Sequence, residues 1–179
     1  TGVIEPTARA AAAATRNKKV GIIGTDATIR SGSFVRALHA IDPVIETVGQ
    51  GCTLLVPLVE NGRVRPGDVV IETVAREYLE PLRQSGIDTL ILGCTHYPLL
   101  TDVIAGIMGP EVELVSAGEE GAFELKRMLK SRGLRADETQ QGQSEFFVSD
   151  RAEDFENLAS LFLQEDLHHG ARRIDIEEY

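Results

Sequence analysis

Tryptophan is absent, aromatic residues make up 5% of the 179-residue chain, and cysteine occurs twice, at Cys52 and Cys94. Two cysteines are too few for a disulfide scaffold, so both read as thiols in a reducing cytoplasm. Basic charge is in deficit, with 18 Lys+Arg against 28 Asp+Glu and a formal net charge of −10. No cluster of Lys and Arg stands anywhere in the sequence, which argues against a nucleic-acid or anionic-membrane partner. Long apolar runs are missing too: residues 53–59 and 89–92 fall far short of the ~20 needed to span a bilayer, so no membrane segment is expected. No charged-then-apolar leader opens the chain. It starts at Thr1 rather than Met, with Gly2-Val3-Ile4 reading as the cut end of a strand, and the expectation is a piece of a longer protein.

What remains is an ordinary globular composition, 42% hydrophobic with 17 Gly, and a chain of this size buries roughly 70% of its unfolded surface. Alternating elements run along it. The Ala-rich residues 6–16 predict a helix by propensity and stop signals, and the apolar run 20–24 a strand. Residues 33–41 carry helical spacing at Phe34, Ala37, Leu38 and Ile41,. Residues 44–48 predict a strand, and 68–84 a helix with Gly86 as its cap. Residues 88–93 form the cleanest buried strand. Helix 98–108, strand 111–115, helix 118–132, strand 145–149, helix 150–164 and a last short strand 173–176 follow, with 136–144 as a loop or linker.

Strands alternating with helices, the strands nearly continuous in apolar residues, predict an α/β fold: a parallel sheet covered on both faces. Ligands in such folds bind beyond the carboxyl ends of the strands, so chemistry is expected in the loops after Ile23, Val48 and Leu92. The first of these, Gly24 to Ser33, offers hydroxyls and N–H groups but has neither a Walker A lysine nor a dinucleotide glycine pattern,. By itself it is read as a helix cap at Ser31 or Ser33. The third reads Gly93-Cys94-Thr95-His96-Tyr97-Pro98-Leu99. A cysteine at a strand end, a few residues before a helix marked by Pro98, sees the positive helix terminus and an imidazole two residues on, which together favour thiolate.

That heptapeptide resembles the second catalytic-cysteine motif of the glutamate racemases. Ile4-Glu5-Pro6 before the Ala-rich helix, Gly24-Thr25 with Thr28 and Ser31, Gly51-Cys52 leading to Val56-Pro57-Leu58-Val59-Glu60, and Phe146-Phe147-Val148 followed by Phe155 are similar to that family in the same order. Gly-Cys-Thr is shared with the aspartate racemases, whereas His96-Tyr97-Pro98 is similar to the glutamate enzymes in particular.

The resemblance implies a cofactor-independent, metal-free isomerase that makes D-glutamate for peptidoglycan by a two-base route. One cysteine takes the α-proton and another, across the cleft, returns a proton to the opposite face. Carried over, Cys94 is one acid/base, His96 assists its proton transfer, Glu60 is a carboxylate on the His96 side, Thr95 binds substrate, and Thr25 and Thr28 are hydroxyl donors to it. Without the resemblance, Glu60 beside Asn61-Gly62 would read as a solvated turn residue. Cys52 is taken as structural. The other cysteine of the family lies in an upstream Asn-Thr motif that this sequence does not contain, so the chain alone is expected to be inactive. Residues 1–116 are expected to hold a complete inserted lobe and 117–179 elements of an incomplete first lobe, poorly soluble or self-associating when isolated. The expected partner is the small molecule glutamate, with homodimerisation left open. The competing readings are an aspartate racemase and a non-catalytic standalone binding module.

Overall fold

The computed structural model describes residues 1–137, 139–140, 142–163 and 170–175. The chain forms two compact units, Thr1–Arg135 and Ala136–Tyr179. The first is built on a four-stranded sheet of β1 (Lys19–Gly24), β2 (Glu46–Gly51), β3 (Thr89–Leu92) and β4 (Glu113–Ser116), ordered β2-β1-β3-β4 with every pairing parallel. This is the α/β sheet that the alternation predicts. Its strand order reverses between β1 and β3, which places a crevice at their carboxyl ends.

Helices α1 (Ile4–Ala14), α3 (Ser33–Ile41) and α7 (Ala117–Ser131) pack together on the sheet. Ala8 and Ala11 lie fully buried with Val20, Ile22, Phe34, Leu38, Ile45, Ile91 and Val115. Small alanines let α1 approach closely. Side chains alternate along a strand, so Ile23, Leu90 and Leu92 face the other way, the side on which α5 (Val69–Gln84) and α6 (Thr101–Met108) pack together and bury Ile71, Leu79, Leu82, Val103 and Ile104. At the sheet's opposite end Asp88 ties β3 to the exit of α1. Its carboxylate accepts from Thr15 Oγ1 and from the Arg16 and Asn17 amides, each at 2.7 Å, and from Thr89 Oγ1 at 3.1 Å.

Several boundaries differ from the sequence reading. Gly2-Val3-Ile4 is the lead-in to α1 and not a strand end: Val3 caps the helix, and Thr7 bonds the Val3 carbonyl through both its amide and its hydroxyl. Pro6 lies inside the first turn, where its missing N–H is not needed. β2 begins later than expected because Val44, 71% exposed, sits in a turn closed by the Ile45 amide on the Asp42 carbonyl. Two short helices escaped: α2 (Asp26–Ser31), which buries no side chain, and α4 (Leu55–Glu60), which tolerates Pro57 within its first turn,. The expected helix 98–108 is a 3₁₀ turn, Tyr97–Leu100, followed by α6.

The second unit is one strand–helix–strand element. β5 (Phe146–Val148) pairs in parallel with β6 (Ala171–Arg173), with α8 (Ala152–Leu163) between them in sequence. Phe146 and Phe155 stack at a centroid distance of 5.9 Å, whereas Phe147 and Leu163 are half exposed. Gln164 and Ile176, the outer ends of two expected elements, lie outside the described residues.

Candidate functional site

A glycine closes each of the first three strands, as the last residue of β1 and β2 and the residue just after β3: Gly24 before Thr25, Gly51 before Cys52 and Gly93 before Cys94. Gly24 pairs with Gly51 across β1 and β2, and the Gly93 amide donates to the Ile23 carbonyl at 2.8 Å. A Cβ on Gly93 would stand 2.8 Å from that carbonyl oxygen and 2.9 Å from the Phe34 ring. Glycine is therefore required there for the strand ends to meet, and the three loops are drawn to one edge.

On that edge the structure brings Cys94, Thr95, His96 and Glu60 together. Residues 94–97 form a turn closed by the Tyr97 amide on the Cys94 carbonyl at 3.2 Å. Within it, His96 Nδ1 stands 3.8 Å from Cys94 Sγ and 3.2 Å from Thr95 Oγ1. His96 Nε2 reaches Glu60 Oε1 at 3.1 Å, the imidazole 18% and the carboxylate 44% exposed. A carboxylate accepts, so the Nε2–H donates to Glu60, and Nδ1 faces the Thr95 hydroxyl and, at longer range, the Cys94 thiol. A sulfur at 3.8 Å is a long contact. Carboxylate, imidazole and thiol form one chain of contacts, the geometry in which a general base could be oriented by a third group,.

Cys94 is half-buried and Thr95 exposed, both facing the edge at which ligands bind in this architecture,. The helix terminus contributes less than the sequence implied. A 3₁₀ turn follows Cys94 and α6 starts only at Thr101, beyond the first-turn range over which the terminal field acts.

Thr25 and Thr28 are at the end of β1, where their hydroxyls pair with each other at 3.0 Å and Thr25 caps α2 by accepting the Thr28 amide at 3.3 Å. Gly32, at a φ of 61°, joins α2 to α3 as the N-cap, and Ser31 Oγ donates to the Thr28 carbonyl at 2.7 Å and accepts the Ser33 amide, the first of α3, at 3.3 Å. Cys52 is fully buried, donates to the Gln50 carbonyl at 3.6 Å, and is pushed up to about 12 by burial, with Asp26 and Cys94 adding repulsion. Such a thiol is neutral at any physiological pH and packs as a small hydrophobe.

Two tyrosines belong to the site's framework: Tyr97, which the sequence marked only as part of the heptapeptide, and Tyr78, which it did not single out. Tyr97, fully buried, donates its phenol to the Cys52 carbonyl at 3.0 Å, and Tyr78 accepts the Leu54 amide at 3.4 Å. Burial first, then the nearby Cys52 and Cys94, holds the Tyr97 phenol well above its ordinary value, so it stays a donor. Among the described residues no group of three or more His, Cys, Asp or Glu is placed to hold a metal ion, and no helix is long and apolar enough to cross a membrane.

Residues 1–122 match the Asp/Glu/Hydantoin racemase family model. The chain is 46% identical over 162 residues to the glutamate racemase of Geobacter metallireducens, a match covering 90% of this chain and 59% of that protein. Its fold is similar to a crystal structure of a glutamate racemase isoform from Bacillus anthracis, with a TM-score of 0.87 at 37% identity over 98% of this chain and 64% of that one. It is also similar to the Francisella tularensis glutamate racemase in complex with D-glutamate, with a TM-score of 0.85 at 29% identity over 99% of this chain and 64% of that one. The chain thus spans about three-fifths of the length of these relatives.

Proposed function

The chain belongs to the Asp/Glu/hydantoin racemase family, and on that premise we propose that it carries one of the two acid/base cysteines of a cofactor-independent glutamate racemase. The observation that carries the reading is the Glu60–His96–Cys94 alignment at the carboxyl edge of the sheet.

The α-proton of an amino acid beside an ionised carboxylate is a poor acid, so its removal needs a thiolate already formed in a water-poor site and donors for the developing carbanion. In this proposal His96 Nδ1 takes the Cys94 proton, and the imidazolium so formed is stabilised by Glu60. The Cys94 thiolate then abstracts the α-proton of one glutamate enantiomer. In the reverse direction the Cys94 thiol protonates the carbanion and His96 returns the proton to sulfur. Thr95, exposed beside the thiol, binds the substrate's carboxylate or amine, and Thr25 and Thr28 supply hydroxyls from the neighbouring loop.

The opposite face of the α-carbon needs a second acid/base. Cys52 does not fill that role, because it is buried and ionises only near pH 12. The second cysteine is the one the family resemblance places in an upstream segment, and these 179 residues alone are inactive. On this reading residues 1–116 are the lobe bearing Cys94, and 117–179 are elements of the family's other lobe. The product, D-glutamate, feeds peptidoglycan synthesis in the cytoplasm.

The test is racemisation by the full-length gene product that contains this chain, followed by circular dichroism and by α-deuterium uptake in D2O. Cys94→Ser lowers turnover of L-glutamate by roughly 10²–10⁴-fold, the usual contribution of a positioned acid/base. Unchanged turnover in that variant refutes the assignment of Cys94, and aspartate turned over as well as or better than glutamate replaces the substrate.

A further inference from the structure

We infer that Tyr97 is a positioning residue that holds Glu60 and His96 in register with Cys94. The inference rests on the reading of Cys94 as an acid/base. Its basis is a closed ring of hydrogen bonds through two segments that are remote in sequence, 52–60 and 94–97. The Tyr97 phenol donates to the Cys52 carbonyl at 3.0 Å. The same carbonyl accepts the Leu55 amide at 3.2 Å, closing the turn that leads into α4. The last residue of α4, Glu60, accepts from His96 at 3.1 Å. His96 is covalently joined to Tyr97, whose own amide closes the turn on the Cys94 carbonyl at 3.2 Å.

A buried tyrosine that merely filled the core could satisfy its hydroxyl on any nearby carbonyl. This one bonds the carbonyl from which the Glu60 helix departs. α4 has six residues, and its N-cap, Leu54, makes no side-chain capping bond. A helix that short has little stability of its own, so its direction is set by its anchors. Tyr97 fixes the Cys52 carbonyl in the turn that leads into α4, and Tyr78 holds the Leu54 amide at 3.4 Å from the α5 side. With the anchor in place, Glu60 meets Nε2 and leaves Nδ1 toward sulfur. Without it, α4 shifts against the turn and the imidazole loses the restraint that selects its tautomer.

The experiment uses Tyr97→Phe in the 179-residue chain, which keeps the buried ring and deletes the hydroxyl. Three readouts are taken: Cys94 alkylation by iodoacetamide from pH 6 to 9.5, the ¹⁵N spectrum of the His96 ring, and labelling of Cys52 as a check that the first unit stays folded. The expected result is Cys94 alkylation about fivefold slower at pH 7, the equivalent of one hydrogen bond lost from the ring. The difference narrows toward pH 9.5, and the Nε2–H signature of His96 gives way to a mixture of tautomers. In a Glu60→Ala background the same hydroxyl deletion has no further effect on Cys94, because the two act through one link.

Alkylation within 1.5-fold of wild type with an unchanged His96 tautomer overturns the inference, as does a loss that persists undiminished in the Glu60→Ala background. Should Tyr97→Phe expose Cys52, Tyr78→Phe is read instead. A smaller slowing in the same direction supports the ring, and none refutes it. Failure of the racemase reading would appear separately, as absent turnover by the full-length protein with the Tyr97 effect on Cys94 intact.

Discussion

Asp88 offers the sharpest prediction of stability, because its two oxygens serve four donors and lie at the end of the sheet away from Cys94. Thr15, 6% exposed, and Thr89, fully buried, depend on it for their hydroxyl bonds, whereas Arg16 and Asn17 are exposed and can give their amides to water. Asp88→Ala therefore strands two buried hydroxyls, at about 1–3 kcal/mol each, and exchanges two charge-assisted bonds for water, at about 0.5–1.5 kcal/mol each. Allowing for non-additivity, the expected loss is about 4 kcal/mol, a large part of the 5–15 kcal/mol typical of a domain. Asp88→Asn loses less, about 1–2 kcal/mol. Its remaining oxygen still faces the two amides, and both threonine hydroxyls can rotate to accept from its NH2.

The assay follows from a buried sulfur. Cys52 is fully buried in the first unit, so urea-dependent labelling of Cys52 reports the opening of that unit alone, where a whole-chain signal would mix two units. The pH dependence has a definite sign. Burial opposes the Asp88 charge, but the bonds from Thr15, Asn17, Arg16 and Thr89 outweigh it and hold the carboxyl below its ordinary value. A depressed folded value means the contribution is complete above the unfolded carboxylate value of ~3.9 and is lost as pH falls through the folded one. The gap between wild type and Asp88→Asn should stay constant from pH 8 to 5 and narrow as pH falls below about 4. A loss under about 1 kcal/mol in Asp88→Ala, or a wild-type advantage over Asp88→Asn that does not shrink at all as pH falls below about 4, refutes the reasoning, since either would mean the carboxylate is not bonded as drawn.

Two further outcomes can be read from thiol chemistry and packing. Iodoacetamide at pH 8 should label Cys94 well before Cys52, because about one Cys52 thiol in 10⁴ is ionised at that pH and the group is buried,; equal rates in the folded protein, followed by peptide mass spectrometry, would contradict the burial assignment. Gly93→Ala should destabilise the first unit by about 1–3 kcal/mol, an overpacking cost, because the added methyl meets the Ile23 carbonyl and the Phe34 ring,; a urea midpoint matching wild type would show that β1 and β3 can part at that point without strain.

The sheet was legible because its strands are apolar and its helices periodic: residues 33–41 give α3 with both ends as expected, and buried residues 89–92 need no partner to be recognised. What escaped has physical reasons. α2 buries no side chain, so no apolar period marks it, and α4 carries a proline where a first turn tolerates one,. The Cys94–His96 contact was foreseeable from a two-residue spacing. Glu60 stands 36 residues from His96, and nothing in its own neighbourhood, an Asn-Gly turn, distinguishes it from a solvated carboxylate. The bond from Tyr97 to Cys52 spans 45 residues and depends on where two loops land, which local pattern does not encode.

One signal was present in the sequence and went unused: a glycine at, or just after, the end of three successive strands. Adjacent parallel strands lie ~4.8 Å apart, and side chains at their last positions would splay the loops that follow. Glycine at positions 24, 51 and 93 removes that obstacle. At Gly93 the Ile23 carbonyl and the Phe34 ring occupy the space a Cβ would take, and at Gly51 the Asp26 carboxylate does so. The loops can then share one crowded edge, where the Cys52 carbonyl serves Tyr97 and α4 at once. On that edge the His96 ring stands between Glu60, brought in from the loop after β2, and Cys94, which opens the loop after β3, because the strand ends are narrow enough for the two loops to touch.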